Sequence, residues 1–345
     1  MKKFIGLILV MVMTVSLIGC NSSNNEKDTK SQETNKTEQS KDTKDVKVDR
    51  KYKIGVSLPS PANQWVGAII DYAKKEAAKD SEEYDIKIVV SENPAAQVAA
   101  IEDLLQDELD AMVVLPLESA PLTPICERVY DLGIPLLVLD RGIASDKYTS
   151  FLAGDNYGIG RAAAHYIAKE LGGKGDVVEM LGVPCEIVQL RSDGFNETIK
   201  KHYPDINVVA KATGNFSREV SLKAMEDILQ AQSSIDAVYS HDDEQTLGIK
   251  LAVENAGRQD EMFLTGAGGN KGVYEEMLGD NKLIRASFTY SPTMGGSAVR
   301  VAKRLAKGEG LSDTLEKEVP RQIILNASAV TADNVEKFYD EDSSY

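Results

Sequence analysis

The chain has 345 residues, 42% hydrophobic and 27% charged, with a formal net charge of -15 and a pI near 4.8. That length and apolar content suit a globular protein of about two domains. The acidity argues against the basic stripe of a nucleic-acid binder, three cysteines are too few for a disulfide framework, and three scattered histidines, His165, His202 and His241, show no metal-ligand spacing. All three histidines are read as surface or boundary residues, and no cofactor or metal is expected.

The first segment opens with Lys2-Lys3, continues through an apolar stretch at 4–18, and ends in Leu17-Ile18-Gly19-Cys20. A basic start and an apolar run too short to span a bilayer read as a secretory signal, residues 1–19. Leu17-Ile18-Gly19-Cys20 resembles the lipobox of bacterial lipoproteins. The resemblance implies lipidation of Cys20 and an extracytoplasmic chain anchored to the cell membrane, since two acyl chains hold where one does not. Residues 20–50 are then a lipidated tether; Asn, Ser, Thr, Gln, Lys, Asp and Glu dominate it, and it is expected to be disordered.

From residue 51 strands and helices alternate. A strand at 53–58 leads through Pro59-Ser60-Pro61-Ala62 into a helix whose apolar positions Trp65, Ala68, Ile69, Tyr72, Ala73 and Ala77 recur at helical spacing. A strand at 86–90, a helix at 95–107, a strand at 111–115, a helix at 122–132 and a strand at 135–139 follow. This alternation predicts βαβ units, hence a parallel sheet covered on both faces. A second series continues with helix 158–171, strand 176–181, helix 188–201, strand 207–212, helix 217–231, strand 237–239, helix 245–256, strand 262–265, helix 273–278 and strand 283–288. Two such series exceed one sheet, so the fold class is α/β with two lobes of like topology, each a parallel sheet flanked by helices. A helix at 293–307 and the segment 320–330 remain, and are assigned one to each lobe.

The apolar run Ile134-Pro135-Leu136-Leu137-Val138-Leu139 stops at Asp140-Arg141. In open parallel sheets ligands bind at the carboxyl ends of strands, so this acid and base are candidate site residues. Their alternative is a strand-end turn and a surface arginine.

The ordered set Gly55-Val56-Ser57-Leu58-Pro59, Val138-Leu139-Asp140-Arg141, Gly154-Asp155-Asn156, Arg191-Ser192-Asp193-Gly194-Phe195, Asp242-Asp243 before Leu247-Gly248, and the glycines from Gly266 to Gly269 resembles the type I periplasmic sugar-binding proteins, near their ribose-binding branch. The resemblance spans about 53–330. It implies two Rossmann-like lobes with a ligand cleft between them, joined by three hinge crossings near 153–156, 289–291 and 318–322, which divide the chain into a first lobe of 51–154 plus 291–319 and a second of 155–290 plus 320–345. It implies that Asp140, Arg141 and Arg191 bind ligand hydroxyls and ring oxygen, that Trp65 and Phe216 sandwich the ring, and that Asn63 contacts hydroxyls. Arg191 paired with Glu186 or Asp193, core roles for Trp65 and Phe216, and helix capping by Asp242 or Asp243 are the competing readings. Against the ribose branch, Asp242 stands where an Asn is usual, Gly268 where an Asp is usual, and Tyr290 where a hinge Gln is usual. These exchanges redistribute acceptors and argue for a sugar or polyol other than ribose.

The loop Gly266-Ala267-Gly268-Gly269-Asn270-Lys271-Gly272 lies between strand and helix but departs from a dinucleotide fingerprint at Lys271. Cys126, within a helix, is read as a buried thiol, and Cys185 falls in the other lobe. The expectation is a non-enzymatic solute receptor, monomeric, that takes up a monosaccharide or similar polyol by hinge closure and delivers it to an ABC permease with a separate ATPase. The alternative is a sensing component that presents the same closed state to a membrane kinase or chemoreceptor.

Overall fold

The computed structural model describes residues 50–61, 63–279, 282–311, 317–343 and 345. The expected signal segment 1–19, Cys20 and the tether up to residue 49 lie outside the described residues. Among the described residues no helix is long and apolar enough to cross a membrane.

The first lobe is built in chain order from β1 (Tyr52–Pro59), α1 (Gln64–Ala77), β2 (Tyr84–Ser91), α2 (Pro94–Leu104), β3 (Ala111–Val114), α3 (Ser119–Asp131), β4 (Leu136–Leu139) and β5 (Ser150–Gly154). The second follows with α4 (Asn156–Glu170), β6 (Lys174–Leu181), α5 (Glu186–His202), β7 (Asp205–Thr213), α6 (Arg218–Ala231), β8 (Ala237–Ser240), α7 (Asp243–Asn255), β9 (Phe263–Ala267), α8 (Lys271–Leu278) and β10 (Ile284–Thr289). The chain then returns through α9 (Met294–Lys307), β11 (Gln322–Leu325) and β12 (Ser328–Thr331). The two sheets have the orders β11-β5-β4-β3-β1-β2 and β12-β10-β9-β8-β6-β7. All pairings are parallel except β12, which runs antiparallel to β10.

Both lobes follow from the same local physics. β3, β4 and β8 are buried along their whole length, as central strands covered by helices on both faces must be. Several strands deliver their ends to a polar residue that caps the next helix. Asn63 Oδ1 accepts from Val66 N at 2.9 Å, Asp155 Oδ1 from Gly158 N at 2.7 Å, and Asp242 Oδ1 from Glu244 N at 2.8 Å. These caps satisfy amides that a helix start leaves unpaired, and they fix strand-end side chains in place. One apolar cluster runs from the α1/α9 face of the first sheet, through Tyr290, to the α4/α5 face of the second.

The return segment corrects the expected lobe boundary. α9 packs on α1 and β1 of the first lobe. β11 also belongs to the first lobe, pairing Gln322 with Phe151 and Leu325 with Gly154, so the third crossing lies at Asn326–Ala327 and not at 318–322. Pro320 reads as a break in the sequence, yet it introduces an edge strand, a place that tolerates proline. Its carbonyl accepts from Ser150 Oγ at 2.7 Å, docking the segment on the edge that β5 would otherwise leave open. β5 itself went unassigned in the sequence. The other crossings are Asp155, between β5 and α4, and residues 290–293, between β10 and α9.

Candidate functional site

The strand ends of both lobes face one cavity of about 50 Å³, which shares Asn63, Val66, Arg141, Ile187 and Phe216 with a neighbouring cleft of about 650 Å³. Asn63, Trp65, Asp140 and Arg141 line the cavity from the first lobe, Arg191, Phe216 and Asp242 from the second, and Tyr290 from the hinge. All eight residues singled out in the sequence therefore meet in one place. Val66, Ile187 and Gly268 complete the lining. Ile187 was not expected here: it lies four residues before Arg191 on α5, but the sequence predicts that helix only from 188.

Asp140 sits just past the end of β4 with φ of 60°, in the left-handed region that a side chain other than glycine adopts at a cost. Its amide donates to Leu152 O at 2.7 Å, and its Oδ1 accepts from Tyr290 OH at 3.0 Å. Burial pushes its carboxyl above the usual aspartate range, against the opposing pull of Arg141, the Tyr290 hydroxyl and Arg191. Arg141 is fixed by donating Nη1 to Leu117 O at 2.9 Å. The link from Asp140 to Tyr290 ties a first-lobe strand end to the hinge. The Tyr290 ring in turn packs over Gly154 and stands edge-on to Trp65, centroids 5.6 Å apart.

Arg191 is buried on α5 and pairs with neither Glu186 nor Asp193. Its Nε donates to Asn156 Oδ1 at 3.0 Å and its Nη1 to His241 O. Burial works against its charge, but Tyr290, Tyr239, Asp242 and Asp140 together hold its pKa above the ordinary value. Asn156 thus orients Arg191 directly. The sequence quoted it within a motif but gave it no role. Phe216 has φ of 55° and lies across Gly182, where any Cβ would collide with the ring. Its backbone holds a left-handed conformation that a side chain other than glycine adopts at a cost, and the residue lines the cavity.

Asp242 both caps α7 and lines the cavity, so the capping and site readings hold together. Burial, and then the adjacent Asp243, raise its carboxyl to about 7. Asp243 has a different task. Its Oδ2 accepts from Gly269 N and Asn270 N, each at 2.8 Å, and from Ser287 Oγ at 2.7 Å. The amides a phosphate would need in the glycine loop are therefore taken by a carboxylate, which removes the dinucleotide reading on physical grounds.

His241 corrects another expectation, for it is fully buried rather than at the boundary. Its Nε2 lies 3.1 Å from Glu179 Oε1, and Glu179 is also held by Lys211 Nζ at 2.7 Å and Asn196 Nδ2 at 2.9 Å. The pair supports the peptide carbonyl that receives Arg191. Cys126 is buried, and burial pushes its thiol up to about 12; Cys185 is exposed, and both are free. Among the described residues no group of His, Cys, Asp and Glu is placed to hold a metal ion.

This arrangement offers forked donors, carboxylate acceptors and two aromatic walls to one small volume. It suits a ligand with neighbouring hydroxyls on its rim and C–H groups on its faces.

Comparison with known proteins gives the family of the chain. The periplasmic binding protein domain matches residues 54–310. The ribose import binding protein of Bacillus subtilis is 28% identical over 268 residues, covering 77% of this chain and 85% of that protein. Among solved structures, the fructose-binding periplasmic domain of a hybrid two-component system is 30% identical, covering 83% of this chain and 92% of its own, with a TM-score of 0.72. A solute-binding protein of an ABC transporter from Bacillus halodurans, solved with myo-inositol bound, is 26% identical, covering 86% of this chain and 98% of its own, with a TM-score of 0.74. The family is one of substrate-binding proteins, not catalysts. This chain, with two parallel-sheet lobes around a polar, aromatic-walled cavity, belongs to the periplasmic binding protein family.

Proposed function

We propose that this protein is an extracytoplasmic solute-binding lipoprotein that captures a monosaccharide or small polyol by hinge closure and hands it to an ABC permease with a separate ATPase. The observation that carries the reading is the cavity itself: eight polar or aromatic residues drawn from both lobes and the hinge line one small volume. The names of the similar proteins, which bind ribose, fructose and myo-inositol, support a sugar-sized ligand.

Asp140 accepts from adjacent hydroxyls, Arg141 and Arg191 donate to hydroxyl and ring oxygen, and Asn63 and Asp242 complete the polar rim. Trp65 and Phe216 cover the apolar faces. Because the two lobes contribute different parts of this set, ligand stabilises the closed form over the open one, and only by its extra contacts there. Periplasmic binding proteins are a standing case of hinge closure around a ligand. Closure changes the surface offered to the membrane partner. A monomer anchored through Cys20 fits this scheme, the segment up to residue 50 giving the reach.

A thermal-shift screen of aldoses, ketoses and cyclitols tests the reading, because a ligand bound only by the folded state raises the melting temperature. At least one sugar-sized compound should raise it, and failure of the whole set would refute the assignment. A second reading, presentation of the closed state to a membrane kinase, is favoured by the similarity to a domain of a hybrid two-component system. Affinity capture from membranes with the sugar-loaded protein separates the two: a permease supports transport and a kinase supports sensing.

A further inference from the structure

The segment after β12 ends behind the inner wall of the cavity. It is pinned to α8 by three contacts: Tyr339 OH donates to Glu275 Oε1 at 3.3 Å, Lys271 Nζ donates to Glu341 O at 2.5 Å, and Lys271 Nζ sits 5.8 Å from the Tyr339 ring centroid. Val335, fully buried, adds an apolar anchor. These contacts deliver Tyr345, only 3% exposed, to the base of the hinge.

The Tyr345 hydroxyl lies within contact distance of the point where a Cβ on residue 268 would stand. Position 268 is glycine with φ of 122°, so that space holds no side chain of its own. Gly268 lines two cavities at once: the ligand cavity, and one of about 120 Å³ at the hinge that Tyr345 lines with Thr289, Ser291 and Pro292. The wall between Tyr345 and the ligand cavity is thus one glycine thick. The hydroxyl itself is buried and has no hydrogen-bond partner among the described residues. Asp242 and Arg191, both lining the ligand cavity, are close enough to act on it electrostatically, as are Asp243 and Glu244.

A phenol turned inward, stripped of water and left without a partner is unfavourable unless something meets it. We propose that Tyr345 is a specificity-determining residue for the ligand cavity: it does not line that cavity itself, but its unpartnered hydroxyl stands directly behind Gly268, where no side chain intervenes, and offers a polar contact to a ligand group that presses past the glycine. A ligand hydroxyl directed at this wall gains a partner there, whereas an epimer or deoxy sugar lacking it leaves the phenol unpaired. The inference rests on the reading of the cavity as a sugar site.

The test is calorimetric titration of the full chain, wild type and Tyr345→Phe, with D-ribose, D-fructose, D-allose, L-arabinose, xylitol and myo-inositol, together with the melting temperature of each protein without sugar. Tyr345→Phe should weaken the best-bound compound about tenfold and narrow its lead over the next. The ligand-free variant should melt no lower than wild type, because the hydroxyl removed has no partner. Wild-type binding with affinities and rank order unchanged in Tyr345→Phe overturns this proposal and leaves the sugar reading standing. A lowered melting temperature with unchanged preference likewise overturns it, assigning Tyr345 to packing alone. Failure of wild type to bind any of the six overturns the sugar reading and this inference with it.

Discussion

Gly154, the last residue of β5, is where one added methyl group should do most harm to the cavity without touching a ligand. A Cβ there would lie closer than 3.0 Å to three ring atoms of Tyr290. The ring has little room to yield, since its hydroxyl is bonded to Asp140 at 3.0 Å and it stands at right angles to the Trp65 ring at a centroid distance of 5.6 Å. Gly154→Ala therefore forces the ring aside. Overpacking of this kind costs about 1–3 kcal/mol. Losing the hydrogen bond to Asp140 adds about 1.5–3 kcal/mol if the carboxylate stays buried. Together these amount to about 2.5–6 kcal/mol, or a melting temperature lower by roughly 5–20 °C. Trp65 is the sole tryptophan of the chain, so its emission reports the same displacement directly. Thermal unfolding of wild type, Gly154→Ala and Tyr290→Phe would order them, with Tyr290→Phe intermediate because it loses only the hydrogen bond. Wild-type stability and unchanged Trp65 emission in Gly154→Ala would refute the argument that Tyr290 is wedged between the lobes.

Further outcomes follow from the buried charges and the helix crossings. The Asp242 carboxyl is raised from 3.8 to about 7, so its contribution to stability is present below pH about 4 and is lost as pH rises through about 7. Asp242→Asn should therefore raise the urea midpoint of the ligand-free protein at pH 8 and flatten its decline between pH 4 and 7, while weakening sugar binding; an unchanged pH profile would count against the burial argument. Glu179 has the opposite sign. Burial alone would raise it, but His241, Lys211 and Asn196 hold it down to about 2, so its contribution is present above 4.5 and is lost as pH falls toward 2. Glu179→Gln should cost about 3 kcal/mol at pH 7 and blunt acid unfolding, as urea titrations at pH 3 and 7 would reveal. In the α4/α5 crossing, a Cβ at Gly160 would strike the Arg191 carbonyl and one at Gly194 the Tyr157 carbonyl. Backbone cannot step aside as a side chain can, so either alanine should cost about 3 kcal/mol and diminish the ligand-induced melting shift by displacing Arg191. A stable Gly160→Ala protein with a full shift would contradict that packing.

The lobes were legible because their determinants are local. Continuous Leu/Val runs such as that before Asp140, and helical spacing from Trp65 to Ala77, specify buried strands and amphipathic helices within a dozen residues. The candidate site was legible in part for a related reason: an apolar strand stopping at Asp140 and Arg141 marks a strand end, while Asn63, Trp65, Arg191, Phe216, Asp242 and Tyr290 came from what the resemblance carried by the ordered motifs implies. What stayed hidden depends on distant partners. β11 and β12 are four residues each, too short for periodicity to assign, and β11 joins the first lobe only because β5 offers an open edge some 170 residues earlier. His241 looked like a boundary residue until Glu179, 62 residues away on a neighbouring strand, took it into the core. Asn156, though it falls within a motif, shows no role locally, because that role depends on Arg191, 35 residues on.

The most direct measurement is a crystal structure of the protein grown with the sugar that gives the largest thermal shift. The account predicts the ring between Trp65 and Phe216, with its hydroxyls bonded to Asp140, Arg141 and Arg191 and both lobes in contact. A sugar bound outside this cavity, or touching only one lobe, would contradict it.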